Sequence, residues 1–408
     1  MVQSLTPSEA LSPPQPPLSA EQAQALVQDY GSPLYVYQGE RLRQTLAHIT
    51  ASVPYDNTAF HFAAVTNGNV ALLQQVRAAG WGLHANTPGD IYLGRQAGFA
   101  PGHIVYSGSN LTAAEMVQAL DWGVQTFNLD SLQQLQRLAQ VSGQSQGPLR
   151  LGLRLNLPAV TGDSRIGVRP EEFAAAQDIA RQAGLTVAGL HFYRGTGTNA
   201  TQSFLQALGP VLAVAQQLPD WRYLDFGGGF GYPYRPGGAA FDWPAFGAAI
   251  TERLRALGRP VQLIIEPGRA VIANCATLLS RVISVKWQGQ RQIVGVDTTV
   301  ANLSVPSVHG GYRAITSWQP GETLFDSDVC GNTTYSRDYL GRHCPLPPLQ
   351  PGDLLAILDV GAYGYAMSSH FLHRPRPAEI LLEGQHPRVI RKREDYSVLL
   401  ANQVLEGA

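Results

Sequence analysis

The chain has 408 residues, 44% of them hydrophobic, and a formal net charge of −1. That length can bury a large core and suggests two or more domains, while the near-neutral charge gives no electrostatic reason to expect nucleic acid or an anionic membrane as partner. Cys275, Cys330 and Cys344 form neither a disulfide framework nor a metal-type pair, and no apolar run approaches membrane-spanning length, so a soluble cytoplasmic protein is expected.

The first twenty residues are rich in Pro, Ser and Gln, with no basic start and no apolar centre, and read as a flexible arm instead of a signal peptide. With a lead-in helix the arm fills residues 1–30. The run SPLYVYQ at 32–38 is strand-like; residues 31–45 are expected to be a strand and linker that join a later β domain.

From Thr58 the chain alternates short apolar runs with helical patterns, and eight such units are counted between residues 46 and 279. The strand candidates are 58–65, 82–87, 104–109, 126–130, 149–157, 187–195, 223–229 and 262–267. Between them lie amphipathic stretches such as NVALLQQVRAAG and TAAEMVQALDWG, several opening on Ser, Thr or Pro and closing on Gly as helix caps do. Eight alternations in this length match a (β/α)8 barrel. An open doubly wound sheet fits the same rhythm with fewer units.

The seventh candidate ends in YLDFGGGFG (223–231). Three glycines without Cβ atoms let backbone N–H groups close around an anion, and a following helix N-terminus would add its positive dipole. Tight packing explains a glycine triplet equally well, so position has to decide. A barrel puts its chemistry at the C-terminal strand ends and a phosphate site after strands seven and eight. The triplet ends the seventh candidate and IIEPGR (264–269) ends the eighth, which supports the phosphate reading.

After Leu279 the pattern becomes short β-branched runs separated by Gly and Pro turns, read as an antiparallel β domain over 280–408. Loops within 305–350, rich in Gly, His, Tyr and Asp, are long enough to be functional.

From Pro33 onward the chain resembles the fold-type III, pyridoxal-phosphate-dependent decarboxylases of ornithine, arginine and diaminopimelate. The resemblance is carried by LDFGGGFG, EPGR, GLHF followed by GTG, VCG at 329–331 and GDLLAILDVGAYGYAMSSHF at 352–371. It implies an alanine-racemase-like barrel with a β domain, a head-to-tail homodimer and pyridoxal 5′-phosphate as cofactor. By the resemblance, Gly227, Gly228, Gly229, Gly268, Arg269 and Tyr363 hold the cofactor phosphate and Glu266 pairs with the pyridine nitrogen. A carboxylate there favours the pyridinium, the better electron sink. Pairing with Arg269 is the simpler role for that acid. The resemblance also makes Cys330 the cysteine presented across the dimer interface, and Asp338 the acid that reads the substrate.

The departures bear on chemistry. Where the family carries a lysine after its first strand, the run Phe62-Ala63-Ala64-Val65-Thr66-Asn67 places Val65, and the whole chain has two lysines, Lys286 and Lys392, both in the β-domain region. The family's lysine forms the Schiff base and handles protons. His84 stands where the family has an aspartate and Tyr193 where it has a ring-stacking histidine; with Arg194 they would make this corner more basic. His84 reads either as a hydrogen-bonded barrel residue or as a replacement acid or base, and Tyr193 can still stack. The segment after Cys330 is longer than in the family, and Arg165 replaces a common lysine in the loop 161–168.

Two function classes follow. One is an amino-acid carboxy-lyase by ancestry, on a small amino acid, its pyridoxal phosphate bound without a covalent link. The other is a non-catalytic binding or regulatory homologue that retains the cup for a phosphorylated ligand. An amino-acid racemase shares the barrel but fits the downstream motifs less well.

Overall fold

The structure, a computed structural model, describes residues 14–162, 164–195, 197–321 and 323–404. The start of the Pro-rich arm, Asp163 in the 161–168 loop and Thr196 of the GTG stretch lie outside the described residues. The chain divides into two compact units. One comprises the stretch ending at Gln38, Pro233–Gly238 and the stretch from Asn274 onward; the other comprises Gly39–Tyr232 and Ala239–Ala273.

Strand β1 (Leu34–Gln38) belongs to the first unit. The second unit is a closed parallel barrel of β2 (Thr58–Ala63), β3 (Gly82–Ala85), β4 (Ile104–Tyr106), β5 (Thr126–Leu129), β6 (Arg150–Arg154), β7 (Val187–His191), β8 (Tyr223–Asp225) and β9 (Gln262–Ile265), in sequence order, with β9 pairing back onto β2. All eight expected strands are present, each ending one to four residues earlier than its apolar run suggested. The trimmed residues, such as Val65, Tyr193, Gly227 and Glu266, leave the ladder at the C-terminal mouth, where a barrel uses side chains instead of pairing them.

The helices form where the caps predict. Thr87 and Asp90 make a reciprocal capping box for Pro88–Gln96, and Thr112 and Glu115 make one for Ala113–Asp121. Gly98 and Gly123 follow these helices at φ +85° and +81°, the left-handed turn that sends the chain back to the next strand.

The barrel interior is polar along its axis. A Cβ on either Gly152 or Gly189 would run into the Tyr223 side chain, so these glycines make the room in which that ring sits fully buried. Its hydroxyl donates to Asn128 Oδ1 (3.0 Å), and Asn128 Nδ2 donates to Asp225 Oδ2 (2.7 Å). Outside the barrel wall, Phe226 and Phe230 enter an aromatic cluster with Phe204, Phe241, Trp243 and Phe246; Phe230 lies 4.8 Å from the Phe204 ring and 4.5 Å from the Trp243 ring. These two anchors flank the glycine triplet and fix its loop. Each buried phenylalanine is worth about 1.5–3 kcal/mol.

The first unit is a sheet ordered β14-β13-β11-β10-β1-β16-β17, from β10 (Ala276–Gln288), β11 (Arg291–Val296), β12 (Ile315–Ser317), β13 (Phe325–Cys330), β14 (Tyr339–Leu346), β15 (Leu354–Ile357), β16 (Ala378–Glu383) and β17 (His386–Arg391), with β15 pairing β10 and β12. It is antiparallel for the most part, but β1 runs parallel to β16 and β11 parallel to β13. The region 305–350 is not loop alone: β12, β13 and β14 lie in it. Their β-branched and aromatic residues are diluted by Asp, Gly and Arg, which hid them from a pattern search.

Candidate active site at the C-terminal mouth of the barrel

Strand ends converge on one buried carboxyl group. Glu266, the first residue after β9, is 3% exposed; its Oε2 lies 3.5 Å from His84 Nε2 on β3 and 3.5 Å from His191 Nε2 at the end of β7. Its Oε1 has no hydrogen-bond partner among the described residues. Asp225, at the end of β8, is fully buried, and accepts from Asn128 and from the Gly227 amide (3.0 Å). Ser107 Oγ stands 3.5 Å from His191 Nδ1.

Burial sets the protonation of this group. It raises Asp225 well above the usual carboxylate range, with Glu266 adding to the rise, and pushes Glu266 up to about 7. Burial also lowers His191 to about 4 and His84 well below its ordinary value, with His191 and Arg154 adding to the latter. At neutral pH both imidazoles are therefore neutral, and the two contacts to Glu266 are not ion pairs. The positive charge that faces the nest is Arg154, at the end of β6, also seated over the Tyr193 ring at 5.1 Å.

The glycine triplet is held by close backbone approach. A Cβ on Gly227, Gly228 or Gly229 would strike the carbonyl oxygen of Phe192, Glu266 or Gly195, respectively, and Gly227 and Gly229 have φ +66° and +94°. The loop is thereby stitched to the ends of β7 and β9, while the amides of Gly228 and Gly229 donate to no backbone carbonyl among the described residues. The helix expected to follow directly is absent. Pro233, Pro236, Gly237 and Gly238 keep the chain irregular until the helix Trp243–Arg255, so no helix dipole aids the triplet from that side. Gly268 packs against Thr66 and Ala63, where a Cβ would not fit, and Arg269 lies beside Gly197.

Val65 sits in the short 3-10 turn Ala64–Thr66 beyond β2, 45% exposed between two buried neighbours. Lys286 and Lys392 are exposed and belong to the other unit, so the barrel unit contains no lysine.

Cys330, Asp338 and Tyr363 also belong to the sheet unit. Cys330, the last residue of β13, is half-buried; burial, with Asp328 beside it, raises its thiol to about 11, which keeps it protonated. Asp338 is 3% exposed and accepts from the Val300 amide (2.7 Å), the Thr333 amide (3.1 Å) and the hydroxyls of Thr299 and Thr333. Its carboxylate ties 299–300 to 333 within that unit. Tyr363 adopts φ +58°.

Sequence reasoning missed Asn128, Arg154, His191 and Asp225. The available signal was alternation: in RLGLR, Arg150, Gly152 and Arg154 share one face, and a strand buried on both sides is otherwise apolar. The atoms offered by His191, Asp225 and Glu266 lie within 4.8 Å of one another, a spacing that a metal ion would also accept.

These features define a class: a parallel (β/α)8 barrel with a polar, glycine-rich mouth, joined in one chain to a largely antiparallel sheet unit. The family profile described as "Pyridoxal-dependent decarboxylase, pyridoxal binding domain" matches residues 40–273, and the chain belongs to this family. It is 33% identical over 406 residues to the diaminopimelate decarboxylase of Methanothermobacter thermautotrophicus, covering 93% of each chain, and 30% identical over 395 residues to that of Aquifex aeolicus, covering 92% of each. The crystal structure of diaminopimelate decarboxylase from Helicobacter pylori complexed with L-lysine matches with a TM-score of 0.86 at 27% identity, over 93% of this chain and 98% of that one. The family implies pyridoxal phosphate and a decarboxylase-class function. Among the described residues no helix is long and apolar enough to cross a membrane.

The residues present fit this cofactor in part. Two glycine amides without backbone acceptors suit a phosphate, and the orphaned Glu266 Oε1 suits a ring nitrogen. No amine is available in the barrel unit for a covalent bond to an aldehyde.

Proposed function

We propose that the chain is a decarboxylase-family barrel that binds pyridoxal phosphate without a covalent link, and that it does not carry out the lysine-dependent reaction of its relatives. The observation that carries this reading is the combination of an intact mouth, with Gly227–Gly229 and Glu266 in place, and Val65 where an amine is needed. Gly227, Gly228, Gly229, Gly268 and Arg269 would hold the phosphate, and Glu266 the pyridine nitrogen. Pyridoxal phosphate, when bound, would supply an electron sink to an amino-acid ligand. Glu266, poised at about 7, can give its proton to a pyridine nitrogen or receive one from it; Asp225, kept protonated by burial, supports the Glu266 carboxylate as a hydrogen-bond donor. Tyr193, steadied by Arg154, presents an aromatic face.

The ligand class is a small amino acid of the diaminopimelate and ornithine type, and the assembly a homodimer through the segment after Val329. Asp338 accepts from four donor groups, two on Thr333 and two on Thr299 and Val300, and would set the shape of that segment instead of touching the substrate.

A second reading, catalysis without lysine, is favoured by Glu266, which burial pushes up to about 7, so that it can exchange a proton near neutral pH beside the neutral His84. One experiment separates the two. The purified protein is loaded with pyridoxal phosphate, treated with borohydride and dialysed, and carbon dioxide release from meso-diaminopimelate is measured in parallel. Loss of all cofactor on dialysis with no carbon dioxide supports the binding reading; carbon dioxide release supports the second. A borohydride-stable adduct on Lys286 or Lys392 would overturn both.

A further inference from the structure

At the opposite, N-terminal mouth of the barrel lies a cavity of about 340 Å³, formed where the strands begin. Thr58 to His61 of β2, Gly82 of β3, Thr126 of β5, Arg150 of β6 and Gln262 of β9 line it, with Trp81 and His103. No aspartate or glutamate is among the lining residues.

Arg150 is the centre of this cavity. Its guanidinium donates to Gln262 Oε1 (2.5 Å) and lies over the Tyr223 ring at 4.9 Å, and among the described residues it forms no ion pair. A half-buried guanidinium with most of its N–H donors unused matches an oxyanion better than any neutral group. A second, independent observation points the same way. His61 is 7% exposed and lines the cavity, and its Nδ1 is buried without a hydrogen-bond partner among the described residues. Phe60 and Trp81, stacked at 5.0 Å, add an apolar wall.

We propose that the N-terminal mouth of the barrel is a binding site for a small oxyanion, the carboxylate or phosphate group of a small metabolite, seated on Arg150 and walled by Phe60 and Trp81. This site shares no residue with the glycine mouth and does not depend on what that mouth binds. The volume admits a ligand at the small end of the range for metabolite pockets. The local charge also explains His61: burial, His103 and Arg150 together push it down to about 3, as expected where positive groups crowd without a counter-ion.

The test uses the full chain carrying Arg269→Gln, which weakens phosphate binding at the glycine mouth and leaves the N-terminal mouth intact. Calorimetric titrations with inorganic phosphate and with succinate separate a phosphate from a carboxylate ligand. The expected result is one saturable site for at least one probe, weakened about tenfold or more by Gln262→Glu, which places a carboxylate against Arg150 at almost unchanged shape. Should Gln262→Glu fail to fold, His103→Glu, at an exposed position on the same wall, is expected to weaken the site in the same direction. Binding unaffected by these carboxylates, or no saturable binding of either probe, overturns the proposal.

Discussion

At the C-terminal mouth of the barrel, Glu266 and Asp225 are buried with two neutral imidazoles, and the Arg154 guanidinium faces them. At the N-terminal mouth, Arg150 of the same strand lines a cavity with His61 and His103, and no carboxylate is among its described lining residues. One end therefore stores protons on acids, and the other stores an unneutralised positive charge. Between them Tyr223 fills the axis, with Arg150 beneath its ring and its hydroxyl joined through Asn128 to Asp225. A barrel closed by apolar side chains would insulate its two ends. This one joins them through polar contacts, and four substitutions are ways to break or sharpen the contrast.

The largest effect is expected at the mouth that lacks an amine. Val65 is half exposed in the turn after β2, so Val65→Lys has room for a long side chain, and a held amine reacts with a bound aldehyde at high effective concentration. The variant should take up a borohydride-stable pyridoxal label in about one-to-one ratio, against none for the parent chain. Mass spectrometry of the peptide containing residue 65 checks it. A variant that folds and binds pyridoxal phosphate yet stays unlabelled would show that residue 65 does not face the ligand.

Glu266→Gln probes the stored proton. The folded-state value of about 7 lies above the ordinary 4.5, so Glu266 favours folding below about 4.5 and that contribution is lost as pH rises through 7. The loss amounts to about 3 kcal/mol. Relative to the parent, Glu266→Gln should therefore become more stable by roughly that amount between pH 5 and pH 8. Urea midpoints across this range decide it, and a pH-independent difference would remove Glu266 from its assigned protonation.

These two substitutions also show what was legible before the structure. The eight-unit rhythm, the glycine triplet and EPGR announced the barrel and its mouth, because strand period, helix caps and φ-positive glycines are local signals. Asn128, Arg154, His191 and Asp225 were not legible. Their importance depends on which residues of a strand face inward, a parity fixed by the register of neighbours such as Ala63 opposite His84 and His191 opposite Asp225. Within the β domain, strands β12–β14 were not legible one by one because they lack a continuous apolar face. For Asp338 only the resemblance spoke in advance; that its carboxylate gathers the Val300 and Thr333 amides depends on contacts distant in sequence.

At the other mouth the sign of the pH effect reverses. His61 is lowered from 6.5 to about 3 by burial and by its positive neighbours, so its contribution is complete above about 6.5 and is lost as pH falls toward 3. His61→Gln, which cannot take a proton, should reduce the fall in stability between pH 7 and pH 5 by about 2 kcal/mol relative to the parent. If the parent and variant curves stay parallel, the N-terminal mouth does not hold the positive charge assigned to it.

The smallest effect tests whether the two mouths communicate. Tyr223→Phe keeps the ring under Arg150 but deletes the hydroxyl that orients Asn128, leaving a buried carbonyl oxygen without its donor at a cost of about 1–2 kcal/mol. If that were all, the stability curve would shift down uniformly with pH. The Asn128 amide is also a donor to Asp225, and once its orientation loosens, the Asp225 anion loses support and holds its proton more tightly. A protonated Asp225 is a donor for the neighbouring Glu266 carboxylate, so Glu266 should ionise at lower pH in the variant. The expected observation is a fall in stability with rising pH that levels off at a lower pH, and is smaller in total, in Tyr223→Phe than in the parent, and no such difference when the same substitution is made together with Glu266→Gln. A uniform shift in both backgrounds would mean that the chain of hydrogen bonds fixes geometry alone and that the two mouths titrate independently.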